Sequence, residues 1–194
     1  MHVVGSVIAR LGSKRLTYKN MLPFAGKPLL GLGIEILRNA KSVNQVVIST
    51  ESELLARIAL DFHGTVIYRP PALARDSVKS IPVFQHIVAQ CPCDVHVNFN
   101  INFPMCESAV IDRAVEKAII EGEALSFPYA VWAQTAECLA NYGNPAIITG
   151  LKHLFKDERT GPRDIHSLDD LLDTYRAHQG LHPIGLPEAF LTSF

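Results

Sequence analysis

The chain of 194 residues predicts an α/β fold built on a mostly parallel sheet. Two observations carry that expectation. Apolar, β-branched runs at residues 3–9, 45–50 and 65–68 alternate with segments of helical period after Pro28 and Ser52. Strand, helix, strand at this spacing is what parallel strands joined by right-handed crossovers require. A cationic loop also leaves the first run at its carboxyl end, where such sheets hold phosphates and nucleotides.

Val3 to Ala9 reads as the first strand. The loop after it carries Arg10, Gly12, Ser13, Lys14, Arg15, Lys19 and Asn20. Gly12 would let backbone approach an anion closely, and successive turn amides can form a concave nest for it. On charge alone, a solvated basic surface loop is the alternative. Pro28 suits a first helical turn, and Leu29, Leu30, Ile34 and Leu37 follow at helical spacing. Gln45 to Thr50 is the second strand. Ser52 reads as the N-cap of a helix with Leu54, Leu55 and Ile58 inward. Gly64 ends that unit and Thr65 to Tyr68 is the third strand.

A proline-stiffened loop from Arg69 to Ser77 leads to a helix expected over residues 80–89, with Val83, Ile87 and Val88 inward. In that loop Asp76 is expected to accept backbone N–H bonds. Asp94 to Asn98 is a fourth strand by its β-branched content. Asn98, Asn100 and Asn102 either share one face of a continuing strand or form a turn with Asx hydrogen bonds. Ser108 is the expected N-cap of a helix to about Gly122 with Val110, Ile111, Val115, Ile119 and Ile120 as its core face. Further strands are expected at Leu125 to Trp132, broken by Pro128, and at Pro145 to Ile148. Leu151 to Lys156 reads as a short helix. Ser167 caps a last helix to about His178, with Asp169 and Asp170 in its first turn. The tail after Gly180 carries Phe190, Leu191 and Phe194, which could dock on a partner subunit. With no internal repeat or linker, one domain over residues 1–194 is expected.

Apolar residues make up 48% of the chain and the net charge is −1. That composition fits a globular chain and argues against a nucleic-acid binder, which usually carries a basic excess. No apolar run is long enough to span a bilayer, and the first residues lack a signal-peptide pattern, so cytoplasmic residence is expected. Cys91 and Cys93 have the wrong spacing for the usual zinc or redox pair. All four cysteines, Cys106 and Cys138 included, are expected as reduced thiols.

Ala9 through Asn20 reads A-R-x-G-S-K-R-L-x-x-K-N. The pattern resembles the N-terminal signature of the sugar-acid cytidylyltransferases, and the CMP-sialic acid synthetases (acylneuraminate cytidylyltransferases) more than the 3-deoxy-manno-octulosonate cytidylyltransferases. The likeness continues through Gly26-Lys27-Pro28-Leu29, Val46 to Thr50 and Arg69-Pro70…Leu73-Ala74-Arg75-Asp76, and is clear to about Ser80. It implies a three-layer α/β/α, Rossmann-like fold of the nucleotide-diphospho-sugar transferase type. It also implies that Arg10 and Lys19 neutralise charge as pyrophosphate departs, with Lys14 nearby. Ala9, Gly12, Ser13, Asn20, Arg69, Ser80 and Asn100 would lie at the nucleotide. The implied reaction couples CTP to a sugar acid, giving a CMP-sugar and pyrophosphate, in a chain that could form a homodimer.

Two departures from the family pattern bear on that reaction. Asn100-Ile-Asn-Phe-Pro-Met replaces a segment that in the sialic-acid enzymes reads roughly Q-P-T-S-P-L, so Asn100 falls on the Gln and the hydroxyls are gone. The acidic pair D-I-D that carries Mg²⁺ in the family reads Asp164-Ile165-His166. Mg²⁺ prefers oxygen ligands, whereas Mn²⁺ tolerates the imidazole better. His166 could instead act as a base or be solvated. A nucleotide-binding regulator or partner subunit that has lost the metal pair is therefore the alternative function. A guanylyl- or uridylyltransferase is a third.

Overall fold

A computed structural model describes residues 1–12, 15–146, 149–161 and 164–181. In chain order, β1 (Val3–Ile8) is followed by a small antiparallel pair, β2 (Pro23–Phe24) and β3 (Lys27–Pro28), and by α1 (Leu29–Arg38). Then come β4 (Gln45–Thr50), α2 (Glu53–Asp61), β5 (Thr65–Tyr68), α3 (Ser80–Gln90), β6 (Val95–Phe99) and α4 (Ser108–Glu121). The last elements are β7 (Glu123–Phe127), β8 (Val131–Thr135), α5 (Ala136–Ala140), β9 (Leu154–Lys156) and α6 (Leu168–His178). The main sheet has seven strands in the order β5-β4-β1-β6-β8-β7-β9. β8 pairs antiparallel with both neighbours, and the other pairings are parallel.

Both faces of the sheet are covered, as apolar strands without clean alternation require. Leu30, Ile34 and Leu37 of α1 pack with Val110, Ile111 and Ala114 of α4 against Val7, Ile48 and Val97. On the opposite face Val83 and Ile87 of α3 pack against Val4 and Val47. Glycines set how closely α1 approaches its neighbours. A methyl group on Gly31 would meet the Phe62 ring at 2.5 Å, and one on Gly33 would meet Ile101 Cγ2 at 2.3 Å.

β4 and β5 have the expected bounds, and Ser52 caps α2 by accepting from the Leu55 N–H at 3.4 Å. Leu54, expected inward, is exposed, and Ala56 and Ala59 share the inner face with Leu55. Ser108 is the first residue of α4 and Glu107 precedes it with no side-chain cap. Ile119 and Ile120 are exposed, because the inward stripe runs through Ala114 and Ala118, which let the helix lie close to the sheet. The expected broken strand at 125–132 is a hairpin of β7 and β8. Leu154–Lys156 is a sheet-edge strand after a 3-10 turn at Gly150–His153, not a helix, because it pairs with β7. Pro145 and Ala146 form a turn. Ile147 and Ile148, expected to continue a strand there, and the tail with Phe190, Leu191 and Phe194 lie outside the described residues. Among the described residues no helix is long and apolar enough to cross a membrane, and the four cysteines are free thiols.

Candidate active site

The site begins where β1 leaves the sheet. The Ala9 N–H donates to Ser49 O at 3.0 Å, the last link of the ladder. An ion pair then fixes the exit of the loop. Arg69 Nη2 donates to Glu51 Oε2 at 2.7 Å and to Ala9 O at 3.1 Å. The Leu11 N–H donates to Glu51 Oε1 at 2.9 Å. One carboxylate thus ties Arg69 and the loop backbone to the end of β4. Burial pushes the Glu51 pKa up, but the hydrogen bonds from Arg69 and Leu11 outweigh it and hold the carboxyl below its ordinary value. At the far end of the loop, Asn20 Nδ2 donates to Arg10 O at 2.8 Å. The Arg10 guanidinium pairs with Asp76, which approaches from the loop before α3. Where the loop sequence suggests a carboxylate accepting backbone N–H bonds, Asp76 makes a charged link to Arg10.

A second segment reaches the loop from 146 positions away, where Lys19 Nζ donates to Ile165 O at 3.2 Å. Ile165 is fully buried with Phe24, Leu29 and Leu171, and its N–H donates to Asn102 O at 3.0 Å. The helix behind it, α6, starts with a reciprocal cap between Ser167 and Asp170. Tyr175 packs edge-on against Phe24, with ring centroids 5.8 Å apart. This packing delivers Asp164 and His166 to the basic loop. Burial lowers the Lys19 pKa, Asp164 partly restores it, and Arg15 and Arg10 lower it further.

His166 Nε2 lies 2.9 Å from Asp164 Oδ2. Asp164 Oδ1 and His166 Nδ1 are buried and make no hydrogen bond among the described residues. Among the described residues, no group of three or more His, Cys, Asp or Glu is gathered to hold a metal there. Asp164 Oδ1 is nevertheless an orphaned hard oxygen beside a cationic loop. That suits a divalent ion whose remaining ligands come from substrate phosphates and water, the usual arrangement for Mg²⁺.

The segments surround a cleft of about 820 Å³. The loop contributes Arg10, Gly12, Arg15, Lys19 and Asn20, the carboxyl end of β6 contributes Asn98 to Asn102, and the hairpin contributes Tyr129 to Trp132. Ser80, Asp76 and His166 complete much of the lining. Of the residues singled out in the sequence, Arg10, Gly12, Lys19, Asn20, Ser80, Asn100 and His166 therefore meet in one place. Ala9 and Arg69 are not part of that lining: Arg69 Nη2 and Ala9 O are engaged at the β1 exit, while the buried Arg69 Nε has no hydrogen-bond partner among the described residues. Ser13 and Lys14 lie outside the described residues. Gly12 has open space around it and no left-handed φ.

The three asparagines divide between strand and turn. β6 ends at Phe99, and Asn100 shapes the turn beyond it: Nδ2 donates to Tyr129 O at 3.2 Å and Oδ1 accepts from the Asn102 N–H at 3.2 Å. Asn98 stays on the strand. Sequence reasoning did not single out Trp132 and Tyr129 as cleft residues. Their only signal was that Trp132 is the chain's one tryptophan, and nothing local places it at the cleft.

Comparison with known proteins agrees with this architecture. A family model described as cytidylyltransferase matches residues 4–158. The post-translational flagellin modification protein B of Campylobacter coli is 31% identical over 121 residues, covering 59% of this chain and 52% of that protein. The pseudaminic acid cytidylyltransferase of Campylobacter jejuni is 35% identical over 117 residues, covering 57% and 50%. N-acylneuraminate cytidylyltransferase A of Danio rerio is 30% identical over 122 residues, covering 62% and 28%. The matched parts thus span about half or less of these relatives. The solved structure of a CMP:2-keto-3-deoxy-manno-octonic acid synthetase complexed with CTP superposes with a TM-score of 0.77 at 15% identity, covering 93% of this chain and 99% of that one, a likeness of fold. With the family model matched over most of its length, this chain belongs to the cytidylyltransferase family.

Proposed function

We propose that this protein is a nucleotidyltransferase that couples CTP to a hydroxyl of a sugar acid, giving a CMP-sugar and pyrophosphate. One observation carries the proposal: Arg10, Lys19 and Asn20 of the first loop share a single cleft with the distant His166, in a chain of the cytidylyltransferase family. The acceptor oxygen attacks the α-phosphorus of CTP and loses its proton. The bond from that phosphorus to the bridging oxygen breaks, and pyrophosphate leaves with the electron pair. Arg10 and Lys19 neutralise the charge that grows on the leaving group, which is the main demand such a transfer makes on a protein. Gly12, Ser13, Lys14, Asn20 and Ser80 hold the nucleotide. Ala9 and Arg69 act indirectly, by fixing the loop that carries Arg10.

A divalent ion, Mg²⁺ or Mn²⁺, is part of the proposal, with Asp164 and, for Mn²⁺, His166 as its protein ligands. When bound, it would polarise a phosphoryl oxygen as a Lewis acid. We further propose a single domain over residues 1–194 in the cytoplasm, where CTP is available. The exposed Leu168, Leu172 and Tyr175 of α6 support a homodimer. The test is pyrophosphate release from CTP with Mg²⁺ or Mn²⁺ across a panel of sugar acids. Release with at least one acid is expected, and none with any acid would reject the assignment.

A second reading, a nucleotide-binding regulator or partner subunit, is favoured by the His166–Asp164 contact, which occupies one carboxylate oxygen. His166→Asp separates the two. New activity in an inactive protein would mark a decayed enzyme, and loss of existing activity would assign His166 a working role.

A further inference from the structure

Asn98 sits in the middle of the sheet, paired with Ser6 of β1 and Trp132 of β8. It is nearly buried and yet lines the cleft. Its amide can be oriented without ambiguity. Nδ2 lies 3.2 Å from Ser6 O and 3.1 Å from Ser6 Oγ, and a backbone carbonyl only accepts, so the amide nitrogen must face Ser6. Ser6 Oγ accepts from that nitrogen and is also hydrogen-bonded to His96 Nε2, 2.8 Å away. His96 is fully buried, tilted against Phe84 with ring centroids 4.8 Å apart, and burial pushes its pKa down to about 3. It is therefore neutral, and its tautomer sets whether Nε2 donates to or accepts from Ser6 Oγ. The Asn98 amide cannot flip without leaving Ser6 O facing another oxygen. Asn98 Oδ1 has no hydrogen-bond partner among the described residues.

We propose that Asn98 is a specificity-determining residue whose fixed Oδ1 accepts a hydrogen bond from the exocyclic amine of the nucleobase. This rests on the cleft being a CTP site. The position along β1 selects the base over the other parts of the substrate. Arg10 lies four residues beyond Ser6, roughly 13 Å along an extended chain, so polyphosphate and sugar-acid charges belong with the cations at the mouth. The depth beside Asn98 has apolar Ile8 and the Trp132 indole in its lining, surroundings that suit a flat heterocycle. A fixed acceptor there takes the C4 amine of cytosine and opposes the C4 carbonyl of uracil, since two acceptors cannot bond and a desolvated oxygen left unpaired is costly.

The test is calorimetric titration of the whole chain with CTP, UTP and the triphosphate of the 4-deaminated ring, pyrimidin-2-one. Wild type and Asn98→Leu are compared, with Ser6→Ala as the variant that keeps the carbonyl anchor of Asn98. Wild type is expected to bind CTP about ten- to a hundredfold more tightly than either analogue. Asn98→Leu should bring the three ligands within about threefold of one another, while Ser6→Ala keeps the preference. A CTP preference that survives in a folded Asn98→Leu overturns the assignment and leaves the cytidylyltransferase reading standing. So does equal wild-type affinity for CTP and the pyrimidin-2-one nucleotide, a result that needs no variant to fold. Failure of wild type to bind any of the three overturns both.

Discussion

Replacing Arg69 with methionine separates a structural role from a ligand role at a residue whose place in the sequence suggests the nucleotide. Its side chain is 5% exposed, and Nη2 serves both Glu51 and Ala9 O. Hydrogen bonds to charged groups contribute about 1.5–3 kcal/mol each, and removing one partner of a buried pair costs about 3–5 kcal/mol. The Glu51 side chain is 25% exposed, so water can reach the abandoned carboxylate and the lower part of that range applies. Methionine fills most of the vacated volume. The expected loss is therefore about 2–4 kcal/mol. In a chain of this size that lowers the melting temperature by roughly 5–12 °C. Calorimetric melting of the full chain, with and without CTP, is the assay. CTP affinity should fall moderately, because the loop holding Arg10 and Leu11 loses its tether, and Glu51→Gln should give a milder version of both effects. A variant that melts like wild type but no longer binds CTP would refute the clamp and make Arg69 a nucleotide ligand.

Three further outcomes follow from the same geometry. Gly12→Ala should leave the melting temperature within about 1 °C, since nothing lies near the added methyl, yet weaken CTP binding if phosphate occupies that space. An unchanged titration would remove Gly12 from the site. Asp76→Asn should strengthen binding of inorganic pyrophosphate severalfold by releasing Arg10 from its ion pair, and weaker binding would mean that Asp76 positions Arg10 productively. Stability should fall in acid through Glu51 and Asp157. Hydrogen bonds from Arg159, opposed by burial and joined by those from Arg113, hold the Asp157 carboxyl well below the usual range, and Glu51 is also depressed. Carboxylates depressed in the folded state stabilise it fully above their unfolded pKa of about 4 and lose that contribution as pH falls through the folded values. Melting temperature against pH should therefore drop more steeply below about pH 4 in wild type than in Asp157→Asn, and parallel curves would count against the linkage.

Much of the frame was legible locally. Apolar runs placed β1, β4 and β5 and helical period placed α1, because such runs and stripes are what buried strands and a core-facing helix require, and the Ser52 and Ser167 caps that start α2 and α6 followed from short-range hydroxyl chemistry. Local signals failed where the partner decided the outcome. Leu154–Lys156 became a strand because β7 offered an edge. Ile119 and Ile120 stayed outside because Ala114 and Ala118 set a closer helix–sheet contact. Asn98 and Asn100 look equivalent in the sequence. One is oriented by a neighbouring strand and the other is consumed by a turn.

By itself the sequence determined the parallel α/β frame and the cationic loop at the carboxyl end of β1, because periodicity and charge are properties of contiguous residues. Only the tertiary structure decided that Arg69 Nη2 is tied to Glu51 and to Ala9 O. It also decided that Ile165 anchors Asp164 and His166 beside Lys19, and that Ser6 and His96 leave Asn98 with an acceptor toward the cleft. Those facts depend on burial and on which hydrogen-bonding groups distant segments bring within reach, and no local pattern encodes them.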